Sequence, residues 1–242
     1  MMKQFVYPDQ TELSIQTAKL IAGELERKPG SMLCFPAGET SLGTFRELVR
    51  MHQSKQINFD QCRIVGLDEW LHLGEKSGEN CFHFLDKHLF GPLSLKKKNF
   101  CFFDGETADP EAECRKTDHF IKENGGIDLM LLGLGMNGHL GLNEPGTSAD
   151  LCSHIVELDE VTRTIGQKYF TAHTNLTQGI TLGMKQILEA RTVLLQVSGL
   201  KKKPLVKRLL ENESNTEFPA SLLHLHPDAF LLIDKDANPE NF

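Results

Sequence analysis

Short, largely apolar runs recur along this chain at intervals too wide for hairpins. They are "SMLCF" (31–35), "RIVGL" (63–67), "NFCFF" (99–103), "GGIDLMLLGLG" (125–135), "TVLLQVSG" (192–199) and "AFLLI" (229–233). Each is too short for a helix and lacks polar alternation, the signature of a strand buried on both faces. Helical stripes separate them. Leu13, Leu20, Ile21 and Leu25 share one face, and Leu42, Phe45, Leu48 and Val49 another. "NCFHFLDKHLF" (80–90) reads as helical, and Asp109–Pro110 supplies an N-cap followed by proline at the first helical position. This alternation predicts an α/β fold: a single doubly wound, mainly parallel sheet with helices on both faces, forming one domain over 1–242. About thirty residues, holding only a helix, are expected before the first strand. Residues 155–178 are polar and irregular.

Bulk properties exclude several function classes. Charged residues make up 24% of the chain and hydrophobic ones 40%, ordinary for a soluble globular protein. The formal net charge of −7 argues against a general nucleic-acid binder. No apolar run reaches membrane-spanning length, and "MMKQFVYPDQ" has no secretory h-region. Cysteines 34, 62, 81, 101, 114 and 152 form no CxxC pair and no cluster with histidine. They predict reduced thiols in a cytoplasmic protein, without a disulfide framework or a zinc site.

Ligands of open parallel sheets bind outside the carboxyl ends of the strands. The segments there are "PAGETS" (36–41), "DEW" (68–70), "GMNGHLGLNEPG" (135–146) and "SGLKKK" (198–203). They are either solvated turns or the walls of one crevice. "PAGETS" leads into a helix, so its N–H groups and the Thr40 and Ser41 hydroxyls suit an anion. It lacks the spacing of a Walker A loop. "GLGMNG" matches a dinucleotide fingerprint in letters only, because it runs into "HLGLNEPG" and not into a helix. Asp68 and Glu69 precede Trp70; they read as a surface pair or cap, or as a desolvated carboxylate base. His139 is either an ordinary loop histidine or an acid/base group oriented by Glu144, five residues on.

The segments "GLDEW", "LGLGMNGHLGLNEPG", "GITLGMKQIL" and "FPASLLHLHPDAFLLID" together resemble the glucosamine-6-phosphate deaminase/isomerase family, especially its galactosamine-6-phosphate isomerase branch. The likeness runs from about residue 33 to 234. It implies a phosphorylated amino sugar as substrate, converted with water into a ketose 6-phosphate and ammonia without metal or organic cofactor. It also implies roles: His139 opens the sugar ring, Glu144 and Asn137 tune it, and Asp68 moves a proton from C2 to C1. Gly38, Glu39, Thr40 and Ser41 match the phosphate loop, Glu39 through its backbone N–H with its carboxylate turned away. Lys168 stands in a segment that forms a lid in the family, expected here within 158–178. Lys202 matches the phosphate lysine, give or take one position in the run of three. The glycines around His139 are expected to let backbone and imidazole approach a sugar ring.

Basic residues that serve an effector in allosteric hexamers are replaced here by His154 and Val156, which predicts a monomer or small homo-oligomer. Two rivals share the fold. A 6-phosphogluconolactonase needs no base at Asp68, and a sugar-phosphate-sensing domain carries a DNA-binding extension. "LDEW" and the short C-terminus lean towards galactosamine 6-phosphate over its C4 epimer.

Overall fold

The computed structural model describes residues 2–73, 79–211 and 213–239. Its centre is a seven-stranded sheet, parallel at every pairing. The strands are β1 (Lys3–Tyr7), β2 (Met32–Phe35), β3 (Arg63–Gly66), β5 (Phe100–Cys101), β6 (Leu129–Leu132), β9 (Thr192–Val197) and β10 (Ala229–Asp234). They lie in the order β1-β10-β9-β6-β2-β3-β5.

Alternate residues of each central strand enter different cores, which is why the runs are apolar without a break. Leu33, Phe35, Leu129, Leu131, Leu194 and Leu232 face helices α1 (Gln10–Arg27) and α2 (Leu42–Gln53), through Leu13, Ile21, Phe45 and Leu48. Met32, Cys34, Met130, Leu132, Leu195 and Ile233 face α4 (Pro110–Glu123), α6 (Met184–Glu189) and α7 (Lys203–Glu211), through Ile121, Ile187, Val206 and Leu209. Asp109 caps α4, accepting the Ala112 N–H at 2.9 Å ahead of Pro110. The doubly wound expectation thus matches the structure.

Three features depart from the sequence reading. A strand precedes "SMLCF": β1 pairs with β10 from Lys3↔Phe230 to Tyr7↔Asp234. It is an edge strand with four exposed residues, so it lacks the apolar run that marks the others. "DEW" is not a loop but β4 (Asp68–Trp70). It joins β8 (Gln178–Thr181) and β7 (His154–Glu157) in a small antiparallel sheet, order β4-β8-β7. Finally, Leu20 lies off the buried face of α1, 37% exposed.

The two ends of the main sheet differ. At the amino end Asp128, 1% exposed, accepts from the Met32 N–H and from Lys28, and pairs with Arg191. That end is sealed by a compensated buried charge. The carboxyl end opens into a cavity.

Candidate active site

The cavity has a volume of about 1250 Å³ and is lined by parts of all four segments named above. They converge because each follows a parallel strand, or a strand end, on the same side of the sheet.

"PAGETS" leaves β2 and turns into a short 3₁₀ helix, Glu39–Ser41, continuous with α2. Gly38 is extended, with open space where a Cβ would stand. The Ser41 and Leu42 N–H groups turn back onto the Gly38 and Glu39 carbonyls, and all of Gly38–Ser41 lines the cavity at the start of this twelve-residue helix. Glu39 has a partner the sequence did not suggest: its carboxylate meets Lys168 Nζ at 2.7 Å. Lys168 lies on the 3₁₀ turn Gln167–Tyr169, just after α5 (Glu160–Gly166). That turn packs on the small sheet: Trp70, Phe170 and Leu176 share an apolar cluster, and Gly166 lies beside the Trp70 ring.

Of the three lysines 201–203, Lys202 turns inward and donates to the Leu134 carbonyl, while Lys201 is exposed. Burial and the charge of Lys168 lower Lys202 to about 8. A residue not singled out from the sequence aims it. Asp234, 3% exposed at the end of β10, accepts from the Ser198 hydroxyl and from the Gly199 N–H at 3.1 Å. Gly199 sits at φ +93°, which only glycine adopts freely, and Lys202 N donates back to its carbonyl at 2.9 Å.

Asp68 begins β4, opposite Thr181, only partly exposed in the cavity wall. Burial raises its carboxyl to about 6, against the Cys81 thiol and the charge of His139, which pull it down. The two neighbouring carboxylates separate in role. Glu69 faces away and is 2% exposed; it accepts N–H bonds from Trp70 and Cys81 at 2.9 Å and Phe82 at 3.0 Å. It ties β4 to the start of α3 (Cys81–Leu85) and so holds Cys81 beside Asp68. Burial leaves Glu69 near 7 despite those donors.

His139 Nδ1 lies 3.1 Å from Thr162 Oγ1 and 3.5 Å from Glu144 Oε2. Glu144 also accepts from Asn137 Nδ2 at 2.8 Å and from the Asp159 N–H at 3.3 Å. Burial works to raise Glu144, but hydrogen bonds from His139, Thr162 and Asn137 outweigh it and hold it below the usual range. With Glu144 ionised, Thr162 donates to it and accepts from Nδ1–H, which leaves Nε2 as the free proton acceptor. Asn137 accepts from the histidine through the backbone, its Oδ1 taking the His139 N–H at 3.2 Å. An aspartate there would set a second carboxylate against Glu144, so the asparagine supplies a donor that aspartate lacks. Thr162, 4% exposed on α5, escaped the sequence reading because nothing local marks it.

Two glycines of the loop make room for the protein's own side chains. A Cβ on Gly135 would stand 2.4 Å from His139 Nε2, and one on Gly138 (φ +93°) 2.2 Å from the Phe218 ring. The imidazole's close approach is thus to Gly135 itself. The described residues contain no group of three or more His, Cys, Asp or Glu side chains placed to hold a metal ion. No helix among them is long and apolar enough to cross a membrane. His154 lies on β7, with Nδ1 2.9 Å from the Cys152 carbonyl.

Comparison with known proteins agrees with this geometry. The model of the family glucosamine-6-phosphate isomerases/6-phosphogluconolactonase matches residues 8–231. The glucosamine-6-phosphate deaminase of Bacillus pumilus (strain SAFR-032) is 38% identical over 96% of this chain and 96% of its own. Glucosamine-6-phosphate deaminase 1 of Bacillus subtilis (strain 168) is 36% identical over 93% and 94%. A solved structure described as a monomeric glucosamine-6-phosphate deaminase superposes with a TM-score of 0.94 at 35% identity, covering 98% of each chain. The 6-phosphogluconolactonase of Thermotoga maritima shares the fold, with a TM-score of 0.77 at 16% identity over 97% of this chain and all of that one. With the family model matched along nearly its whole length and relatives well above 30% identity, the chain belongs to the glucosamine-6-phosphate isomerase/6-phosphogluconolactonase family.

Proposed function

We propose that the protein is an amino-sugar-phosphate isomerase/deaminase, converting glucosamine 6-phosphate and water into fructose 6-phosphate and ammonia. One observation carries the reading: a single cavity brings together an anion cradle, a partly desolvated carboxylate and an oriented histidine. The helix start at Gly38–Ser41, with Lys168 and Lys202, takes the 6-phosphate. His139 Nε2 exchanges a proton with the ring oxygen to open the pyranose, while Glu144 and Thr162 stabilise the charge on the imidazole. Asp68 then removes the C2 proton and returns it at C1. The C2 imine that results is hydrolysed, releasing ammonia and leaving the ketose. The segment 158–178, carrying Thr162 and Lys168, acts as a lid that joins the acid/base end of the site to its phosphate end.

Asp68 separates this reading from a lactonase, which removes no carbon-bound proton. The choice of epimer departs from the sequence's lean towards galactosamine 6-phosphate. The named relatives carry the gluco substrate in their names, so glucosamine 6-phosphate is the substrate proposed. Ammonia release from both sugars, assayed side by side, tests it. Faster release from the gluco epimer supports the assignment, faster release from the galacto epimer reverses it, and release from neither overturns the deaminase reading. The solved relative is described as monomeric, and a monomer is the state proposed here.

The ionisation states give an expected pH profile. Asp68 must be deprotonated to act, so kcat/KM is expected to fall below about pH 6. Lys202 must be charged to hold phosphate, so it is expected to fall again above about pH 8, through a rising KM. A profile flat from pH 5 to 9 would contradict both assignments.

A further inference from the structure

Both cations of the proposed phosphate cradle are already engaged by the protein's own oxygens. Lys202 donates to the Leu134 carbonyl, a neutral group. Lys168 faces a full negative charge, Glu39 Oε2 at 2.7 Å, from a residue 129 positions away. Glu39 belongs to the cavity-lining loop proposed above to take the phosphate, so an arriving phosphate lies beside its carboxylate. The three charges cannot all be satisfied at once. A dianion next to Glu39 is repelled unless Lys168 changes partner, and Lys168 cannot serve both fully. Room for the exchange exists. The Glu39 side chain is 64% exposed and can swing into water, while Lys168, 43% exposed, keeps its contact with the Tyr169 ring at 4.8 Å. Burial works against the charge on Lys168, yet Glu39 and Tyr169 keep it above the ordinary lysine range, so the cation is present when phosphate arrives.

We propose that Glu39 is a built-in competitor of the ligand's phosphate: its carboxylate holds Lys168 in the free protein and must be displaced when a phosphate monoester binds. This rests on the phosphate site assigned above and adds to it a residue that lowers affinity. The exchange also runs in reverse, with Glu39 recapturing Lys168 as a phosphorylated product leaves.

The test is a double-mutant cycle read by calorimetric titration with 1,5-anhydroglucitol 6-phosphate, a phosphate monoester with no anomeric hydroxyl and therefore no ring opening. Wild type, Glu39→Gln, Lys168→Ala and the double variant are compared. Both positions are substantially exposed, so each variant is expected to fold. Glu39→Gln is expected to bind about three- to tenfold tighter than wild type, an exposed ion pair's worth of competition removed together with a local repulsion. In the Lys168→Ala background the same change is expected to gain less than about twofold, because no contested cation remains. Unchanged or weaker binding by Glu39→Gln would overturn the proposal. An equal gain in both backgrounds would also overturn it, since the effect would then be repulsion alone. No binding by the wild type would remove the phosphate-site reading and the inference with it; wild-type binding with a flat cycle would remove the inference alone.

Discussion

Asp68→Asn is expected to lower ammonia release by about 10³-fold or more, almost entirely in kcat. The substitution preserves shape and leaves the phosphate cradle untouched, but an amide cannot accept a proton from carbon. General-base catalysis contributes about 10²–10⁴-fold. Glu69 is the nearest candidate in sequence, yet its oxygens are occupied by three backbone N–H groups on the far side of β4. A second measurement separates this loss from misfolding. Burial raises the Asp68 carboxyl to about 6 from its ordinary 3.8, so the folded protein resists its ionisation. That penalty is absent below pH 4, grows between 4 and 6, and is complete above 6. The asparagine variant is therefore expected to melt higher than wild type at pH 7, with the difference shrinking as the pH falls through that window. Less than tenfold loss of activity would remove Asp68 from the proton transfer.

The second large effect is expected at His139. His139→Gln should lower ammonia release by about 10²–10³-fold, because glutamine can hydrogen-bond the ring oxygen but cannot carry a proton to it. The surrounding network should survive, since Glu144 keeps donors from Asn137, Thr162 and the Asp159 N–H. Hydrogen exchange into C1 of fructose 6-phosphate identifies the step affected. The furanose ring opens far more readily than an aminopyranose, so exchange depends on Asp68 but less on a ring-opening acid/base. The loss in exchange is expected to be at least about tenfold smaller than the loss in deamination. Equal losses would show that His139 acts in the proton transfer and not in ring opening.

These two side chains were visible in the sequence for different reasons. Asp68 directly follows an apolar run, and the carboxyl end of a parallel strand is where such a sheet places its ligand. His139 stands in a glycine-rich loop after another such run. The central strands were legible because both faces are buried, which removes polar alternation and leaves a local signature. β1 was not, since an edge strand with exposed side chains is held by its pairing to β10 and has no pattern of its own. "DEW" looked like a loop because three residues carry too little periodicity; β8, more than a hundred residues later, makes it a strand.

What the sequence determined by itself is whatever depends on local periodicity: the doubly wound sheet and the four segments at the carboxyl ends of its strands, with the acid/base candidates singled out by the family resemblance. Tertiary structure alone decided which groups meet. Thr162 reaches His139, Asp234 aims the loop of Lys202, Glu39 holds Lys168, and Gly135 makes room for the imidazole it was expected to bring to a sugar. Except at Gly135, those partners lie 23 to 129 positions apart. Their contacts carry no periodic trace, because they arise where separate strands end on one side of a shared sheet.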